Sequence, residues 1–210
     1  MKSFSPACKA KQSAGIASVE FAIVLSLLIL LMFPLADFAR AIQSHMIILS
    51  MSREGANLSS RGSASLETAN QSIMTSLAAT SPPLDMNRNG MMIITKIMGN
   101  KEAGGIIRNV ILEQYRWDDR ANNKGWSSSA YMPTSSVWTC GSWSNNGSCS
   151  NIPSPSSAPT APIMTGLLSD GEVIYAVEVF YKFTMLFGGL NIGFGAMPTI
   201  GPNLHAMTIF

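Results

Sequence analysis

The feature that most constrains this chain is a continuous apolar segment close to its N-terminus. Residues 16–36 contain a single charged side chain, that of Glu20. At about 1.5 Å per helical residue the segment extends roughly 30 Å, which is the thickness of the hydrocarbon core of a membrane. It therefore predicts one membrane-spanning helix. The remainder of the 210 residues is more polar and predicts one folded domain, or at most two small ones.

The charge of the chain argues against a nucleic-acid partner. Charged residues make up only 12% of the sequence, which is about half of the roughly 25% found in a typical soluble domain. The formal charge of +2 depends on Lys2, Lys9 and Lys11 near the N-terminus. Without those three lysines the count of Lys and Arg falls from 14 to 11 against 12 acids, a net charge of −1. A nearly neutral body carries no electrostatic footprint for nucleic acid.

Three interpretations of the N-terminal segment compete. In the first, the segment is an uncleaved signal anchor. In the second, Phe21–Phe33 is the apolar region of a secretory signal, Pro34 ends its helix, and cleavage follows Ala41. In the third, cleavage falls before the apolar run, after Gly15, and Glu20 becomes the fifth residue of the mature chain.

Motifs around this segment favour the third interpretation. Gly15, followed by Ile16 and a leucine-rich run, resembles a prepilin leader site. Three further motifs follow in order, and together they resemble the TadE-like family of tight-adherence pilus proteins: Ser18–Ala22, Phe33–Arg40 and Ser52–Ala56. Ser52 stands where alanine is more common in that family. The resemblance covers roughly residues 14–57 well and the remainder only in outline.

The resemblance implies how the chain matures and what it contacts. A prepilin peptidase on the cytoplasmic face would remove the leader between Gly15 and Ile16. Glu20, with Phe21 beside it, would dock the subunit by pairing with the new α-amine of an adjoining one. An unpaired carboxylate in a membrane helix costs on the order of 3 kcal/mol, which favours such a role. Alternatively, Glu20 lies at the headgroup boundary and reaches into water.

Lysines in the leader favour a cytoplasmic N-terminus and an extracytoplasmic body, because positive charge is retained inside. The predicted location is therefore the inner membrane, single-pass, with the C-terminal domain periplasmic, or the extracellular pilus. The resemblance implies pilins, pseudopilins and the pilus assembly machinery as partners, in a type IVc pilus used for surface attachment.

Hydrophobic periodicity predicts a pilin-like α+β fold with a long N-terminal helix. Apolar residues continue to about Ala56, where Gly55 is expected to end the helix, and a second helix is predicted for Ser65–Ala79 with an apolar stripe of Leu66, Ala69, Ile73 and Leu77. A small antiparallel sheet is predicted from four runs, of which the first two are joined as a hairpin by a short loop with glycine and the third has alternating apolar residues: Met91–Met98, Ile106–Trp117, Glu172–Leu186 and His205–Phe210. The expected organisation is a leader at 1–15, the span at 16–36, helices at 37–80 and a β-rich domain at 81–210.

The long stretch between the second and third strands contains two features of interest. Cys140 and Cys149 remain as an even pair if Cys8 leaves with the leader, which predicts a disulfide in an oxidising compartment rather than two free thiols. Closing this short loop contributes roughly 3 kcal/mol on the chain-entropy model. Four aromatic residues surround the loop, and they form either an interaction surface for glycans or partner subunits or a small satellite core: Trp126, Tyr131, Trp138 and Trp143.

No catalytic motif is present, and the chain is predicted not to be an enzyme. His45 and His205 are the only histidines, and neither lies in a catalytic or zinc-binding spacing. The glycine-rich run Gly188–Gly195 fits neither a P-loop nor a dinucleotide fingerprint, so no cofactor or metal is expected. Two other hypotheses remain open: a secreted surface-binding protein released after Ala41, and an anchored periplasmic enzyme.

Overall fold

The computed structural model describes residues 10–61, 66–118, 131–187 and 203–210 of the chain. Side chains are described from residue 15 in the first range and from residue 70 in the second. Trp126 and the run Gly188–Gly195 lie outside the described residues. The chain divides into two compact units, one of Met1–Ala41 with Thr184–Ile200 and the other of Ile42–Phe183 with Gly201–Phe210.

The first helix, α1, is longer than the sequence predicted. It runs without a break over Ala10–Arg61, 52 residues, and includes Pro34. Gly55 does not end the helix; a Cβ there would lie 3.0 Å from Leu77 Cδ1 and 3.1 Å from Val177 Cγ1. The glycine thus serves close packing, a role that is indistinguishable from a helix stop in the sequence alone.

The second helix, α2, covers Leu66–Ala79 and confirms the prediction, and the short α3 follows at Met86–Asn89. The side chains of Leu66 and Ala69 lie outside the described ones, and the rest of the buried face of α2 differs slightly from the predicted stripe. Asn70, Met74 and Leu77 are buried, whereas Ile73 is only half-buried. A stripe turned by one residue matches the same periodicity nearly as well, and only packing against the sheet selects between them.

All four predicted strands form one antiparallel sheet in the order β2-β1-β3-β4. Their bounds are Gly90–Lys101 for β1, Ile107–Arg116 for β2, Val173–Lys182 for β3 and Asn203–Ile209 for β4. The predicted third strand, Glu172–Leu186, was too long at its end, because residues 183–187 leave the sheet. The predicted hairpin of β1 and β2 is confirmed and carries an irregularity between Lys96 and Ile97.

Both faces of the sheet are covered within the second unit. On one face lie the helices: Ser52 Oγ is 2.9 Å from Thr208 Oγ1, and Trp117 Nε1 donates to Thr75 Oγ1 at 3.2 Å. On the other face, residues of the 131–169 loop join strand residues in an apolar cluster of Ile97, Ile111, Val137, Ala161, Leu168, Ile174 and Ala176. The central strand β3 is therefore covered on both faces.

The same loop also covers the outer edge of β2 through backbone hydrogen bonds. The amides of Ile111, Ala161, Arg116 and Cys149 each donate across this edge, at 2.8–2.9 Å, to the carbonyls of Pro159, Asn109, Gly147 and Gln114. The loop therefore forms strand-like backbone hydrogen bonds with β2 at four positions, although it has no regular secondary structure of its own. Local propensity did not predict this pairing.

Candidate functional site

The N-terminal half of α1 is apolar and uncovered. Every residue from Ile16 to Phe33 is exposed, including Glu20 and Phe21. The helix is long and apolar enough to cross a membrane, and none of its most apolar window is buried by the protein. An apolar surface of this extent requires cover from lipid or from other proteins, because in water it would be strongly unfavourable.

The predicted leader junction lies inside this helix. Ser18 Oγ donates to the carbonyl oxygen of Gly15 at 2.9 Å, a bond typical of a serine within a helix. A Cβ added at Gly15 would meet no atom within 4 Å. Packing therefore does not require a glycine at this position, in contrast to Gly55.

The rival cleavage site, after Ala41, lies in the middle of α1. Ala41 is only 6% exposed.

Asp37, directly after the apolar segment, forms a buried polar cluster with the residues that follow β3. Its Oδ1 accepts from the amide of Leu186 at 2.9 Å and its Oδ2 accepts from the amide of Phe187 at 2.8 Å. Arg40 Nη1 lies 3.2 Å from Oδ1. The ring of Phe33 stacks on that of Phe187 with centroids 4.5 Å apart. We call Asp37, Arg40 and residues 184–187 the Asp37 clamp.

The Asp37 clamp was not predicted from the sequence, in which Asp37 is only part of a family motif. One feature of the sequence could have indicated the clamp. Asp37 is the first acidic residue after the uncharged residues 21–36, and a carboxylate next to an apolar segment needs hydrogen-bond partners.

A second buried carboxylate, Glu178, lies in the middle of β3. It accepts hydrogen bonds from the Ser135 hydroxyl, from the Ser136 amide at 2.8 Å and from the Ser136 hydroxyl at 2.5 Å. His205 Nε2 on β4 is 3.3 Å from Oε1. Burial alone would raise the pKa of Glu178, but the hydrogen bonds from His205, Ser135 and Ser136 outweigh it and hold the pKa below its usual value.

The Glu178 cluster contains a serine, a histidine and an acid, but it is not arranged as a catalytic triad. Ser136 Oγ and His205 Nε2 both donate to the carboxylate, so the imidazole is not placed to take the serine proton. The carboxylate is fully buried and ties the loop to β3 and β4. Among the described residues, no three His, Cys, Asp or Glu side chains are grouped to hold a metal ion.

The predicted disulfide between Cys140 and Cys149 is present, with Cα atoms 5.9 Å apart. Trp138 packs against the apolar cluster on the loop face of the sheet. The guanidinium carbon of Arg116 lies 5.2 Å from the ring centre of Trp143.

Tyr131 is the third of the predicted aromatic residues that the structure describes. Its hydroxyl is buried without a hydrogen-bond partner among the described residues, and burial raises the pKa of Tyr131. Near the disulfide, the loop and β1 line an open cavity of about 170 Å³, with Ile93, Thr134, Trp138, Thr139 and Trp143 among its residues. Of the four predicted aromatic residues, Trp138 and Trp143 therefore line one cavity, although both also contact other parts of the fold.

Comparison with known proteins identifies the N-terminal segment. The family model described as TadE-like protein matches residues 15–57. This confirms the resemblance that the motifs indicated, over nearly the same residues. No curated protein and no solved structure matches the chain.

Proposed function

We propose that this chain is a membrane-anchored pseudopilin, a minor subunit or assembly factor of a tight-adherence (type IVc) pilus used in surface attachment. The observation that carries the proposal is the N-terminal half of α1, which is apolar, exposed on all sides and within the segment that the TadE-like family model matches. A membrane covers such a surface before assembly, and the helices of neighbouring subunits cover it in a fibre.

Maturation by a prepilin peptidase fits the leader junction. A cut between Gly15 and Ile16 releases a short basic leader and creates a positive α-amine on Ile16. Glu20 is four residues away, so its carboxylate lies on the same helix face. In an apolar environment this acid requires a positive partner, and the amine of an adjoining subunit supplies one. Phe21 is exposed beside it and adds apolar contact area.

The proposal places the leader in the cytoplasm, residues 16–36 in the inner membrane and the domain of residues 81–210 in the periplasm or in the extracellular pilus. A disulfide between Cys140 and Cys149 fits an oxidising compartment of this kind.

N-terminal sequencing of the protein purified from membranes tests the maturation step. The proposal expects Ile16 as the first residue. A mature chain that begins at Ile42 would instead support a secreted protein released by signal peptidase, and an intact Met1 would indicate an uncleaved anchor. Either of these results contradicts the proposed maturation.

A charge-removal pair tests the docking role of Glu20. In Glu20→Ala we expect normal leader removal but a loss of at least tenfold in the amount of protein recovered with sheared pili. The control is Glu54→Ala, since Glu54 is an exposed acid on the same helix. Equal recovery of the two variants would remove the docking role.

A second candidate function is ligand binding at the disulfide loop. The cavity of about 170 Å³ supports it. Trp138 and Trp143 supply aromatic surface and Thr134, Ser135 and Thr139 supply hydroxyl groups, a combination that suits a single sugar ring. Trp126 belongs to the predicted surface but is not described. If the loop binds surface polysaccharide, Trp143→Ala should weaken binding to isolated polysaccharide at least tenfold without altering the melting temperature by more than a few degrees.

A further inference from the structure

We propose that residues 184–187 form a second contact with the membrane, at the boundary between headgroups and acyl chains, and that Asp37 holds them there. The inference rests on the proposed anchoring of residues 16–36. Because that segment spans roughly 30 Å as a helix, its end at Ala36 lies at the surface of the hydrocarbon core. Asp37 and the segment it binds are then at the interface.

The hydrogen bonds of the Asp37 clamp meet part of the requirement for irregular backbone at this depth. Backbone amides that leave water without a partner cost several kcal/mol, so non-helical segments enter apolar surroundings only when their polar groups are satisfied. Here the amides of Leu186 and Phe187 both donate to one carboxylate. Arg40 offsets the negative charge of that carboxylate.

The side chains around the clamp have the composition of an interfacial surface. Leu186 is 65% exposed although its own amide is bonded to a buried carboxylate. Phe33 and Phe38 are exposed as well, and Phe33 stacks on Phe187. Aromatic rings are enriched at membrane interfaces, and an arginine with a half-exposed side chain such as Arg40 can direct its charge to lipid phosphates.

This apolar surface continues directly from the exposed half of α1, and that continuity selects lipid as the occupant. A soluble domain would be expected to bury Leu186, Phe33 and Phe38 within itself. Placed at the acyl boundary, these side chains leave water without any change in the described structure.

The test uses depth-dependent quenching of a fluorophore on the full-length chain. Leu186→Cys is made in a Cys8→Ser background, in which Cys140 and Cys149 are paired and do not react. The labelled protein is reconstituted into vesicles of phosphatidylethanolamine and phosphatidylglycerol that contain lipids spin-labelled at a shallow or a deep position. Leu28→Cys reports on the span, and Leu167→Cys, on a leucine that is 70% exposed in the other unit, is the matched control.

We expect the label at position 186 to be quenched at least twofold more by the shallow than by the deep spin label. The label at position 28 should show the reverse order, and the label at position 167 should be quenched by neither. Asp37→Asn should reduce quenching at position 186 to the level at position 167, because an amide has one acceptor oxygen for the two backbone amides. Asp170→Asn, at an exposed aspartate, should leave it unchanged.

Each other outcome overturns a defined part of the argument. If position 28 is quenched and position 186 behaves like position 167, the second contact is wrong while the anchoring stands. If position 28 is not quenched, the anchoring itself is wrong. If quenching at position 186 changes with the protein-to-lipid ratio, a neighbouring subunit covers the segment, and the inference of a lipid contact is wrong.

Discussion

The two halves of α1 differ in what covers them. From Ile16 to Phe33 every residue is exposed, whereas beyond Ala41 the helix has a buried stripe of Ser44, Ile48, Met51, Ser52, Gly55, Ala56 and Ser59. The spacing of three and four residues is that of one helix face, and the small residues allow close approach to the sheet. Half of the helix is therefore stabilised by its own chain, and the other half requires a partner outside it.

This difference means that the two halves of one helix should respond differently to substitution. Substitutions in the second half should change the stability of the folded body, and the same substitutions in the first half should change location or assembly instead. Matched pairs of residues along α1 make the comparison testable, from the largest expected effect to the smallest.

Two charges in the exposed half should have the largest effect. Each arginine at the centre of a membrane helix costs about 3 kcal/mol, so Leu27→Arg with Leu28→Arg adds about 6 kcal/mol to insertion. We expect the protein to leave the carbonate-resistant membrane fraction while the melting temperature of the body is unchanged. Ser50→Arg, at an exposed position of the second half, should stay in the membrane. Retention of the double variant would contradict the spanning role.

An isoleucine pair compares the halves directly. Ile48 is fully buried and Ile23 is 63% exposed. Ile48→Ala should lower the free energy of unfolding by about 2–5 kcal/mol, because it removes buried methyl groups and leaves a cavity. Ile23→Ala should change it by less than about 0.5 kcal/mol. Chemical denaturation of the detergent-solubilised protein measures both, and equal effects would refute the difference between the halves.

A glutamate pair extends the comparison to the sheet. Glu178→Gln should lower the free energy of unfolding by about 2–3 kcal/mol at pH 7, because hydrogen bonds to a charged group are lost. Glu20→Gln, at an exposed position, should leave it unchanged. Since the folded pKa of Glu178 is below its ordinary value of 4.5, its contribution is complete above about pH 4.5 and is lost as the pH falls through the folded pKa.

Denaturation measured from pH 7 to pH 3 tests this dependence on the charge of Glu178. The stability gap between wild type and Glu178→Gln should narrow below pH 4.5. A constant gap would show that the Glu178 carboxylate does not stabilise the fold through its charge.

A serine pair should show the smallest effect. Ser52 and Ser26 each donate to the carbonyl three residues earlier, and Ser52 also contacts Thr208 across to β4. Ser52→Ala should cost about 1 kcal/mol, which is the net value of one buried hydrogen bond. Ser26→Ala should cost a few tenths at most. The measurement is again chemical denaturation, and a larger loss for Ser26→Ala would reverse the expected order.

Most of the regular structure could be predicted because its signals are local. The apolar run, the helical periodicity of α2, the glycine-containing hairpin of β1 and β2 and the alternation in β3 are each complete within a short window. Helix and strand ends were less predictable. The helix α1 continues through Gly55, where Leu77 and Val177 pack closely against the backbone, and those two residues are distant in sequence.

The candidate site was predictable only in the part that motifs describe. Gly15 and Glu20 lie in the segment that resembles, and matches, the TadE-like family, yet the structure contains only one of the two surfaces that would meet there. Asp37 and Glu178 were missed because their donors lie far along the chain: Asp37 and Leu186 are 149 residues apart, and Glu178 is 42 residues from Ser136. A lone acid in the sequence shows that donors are needed but not where they are.

The backbone hydrogen bonds between the 131–169 loop and the outer edge of β2 have a consequence for self-association. An open sheet edge invites strand exchange and amyloid-like stacking between molecules. Here the amides of Ile111 and Arg116 already bond to the chain's own loop, so this margin is closed to an incoming strand. Copies of the protein can therefore be present at high local concentration without pairing through this edge of the sheet.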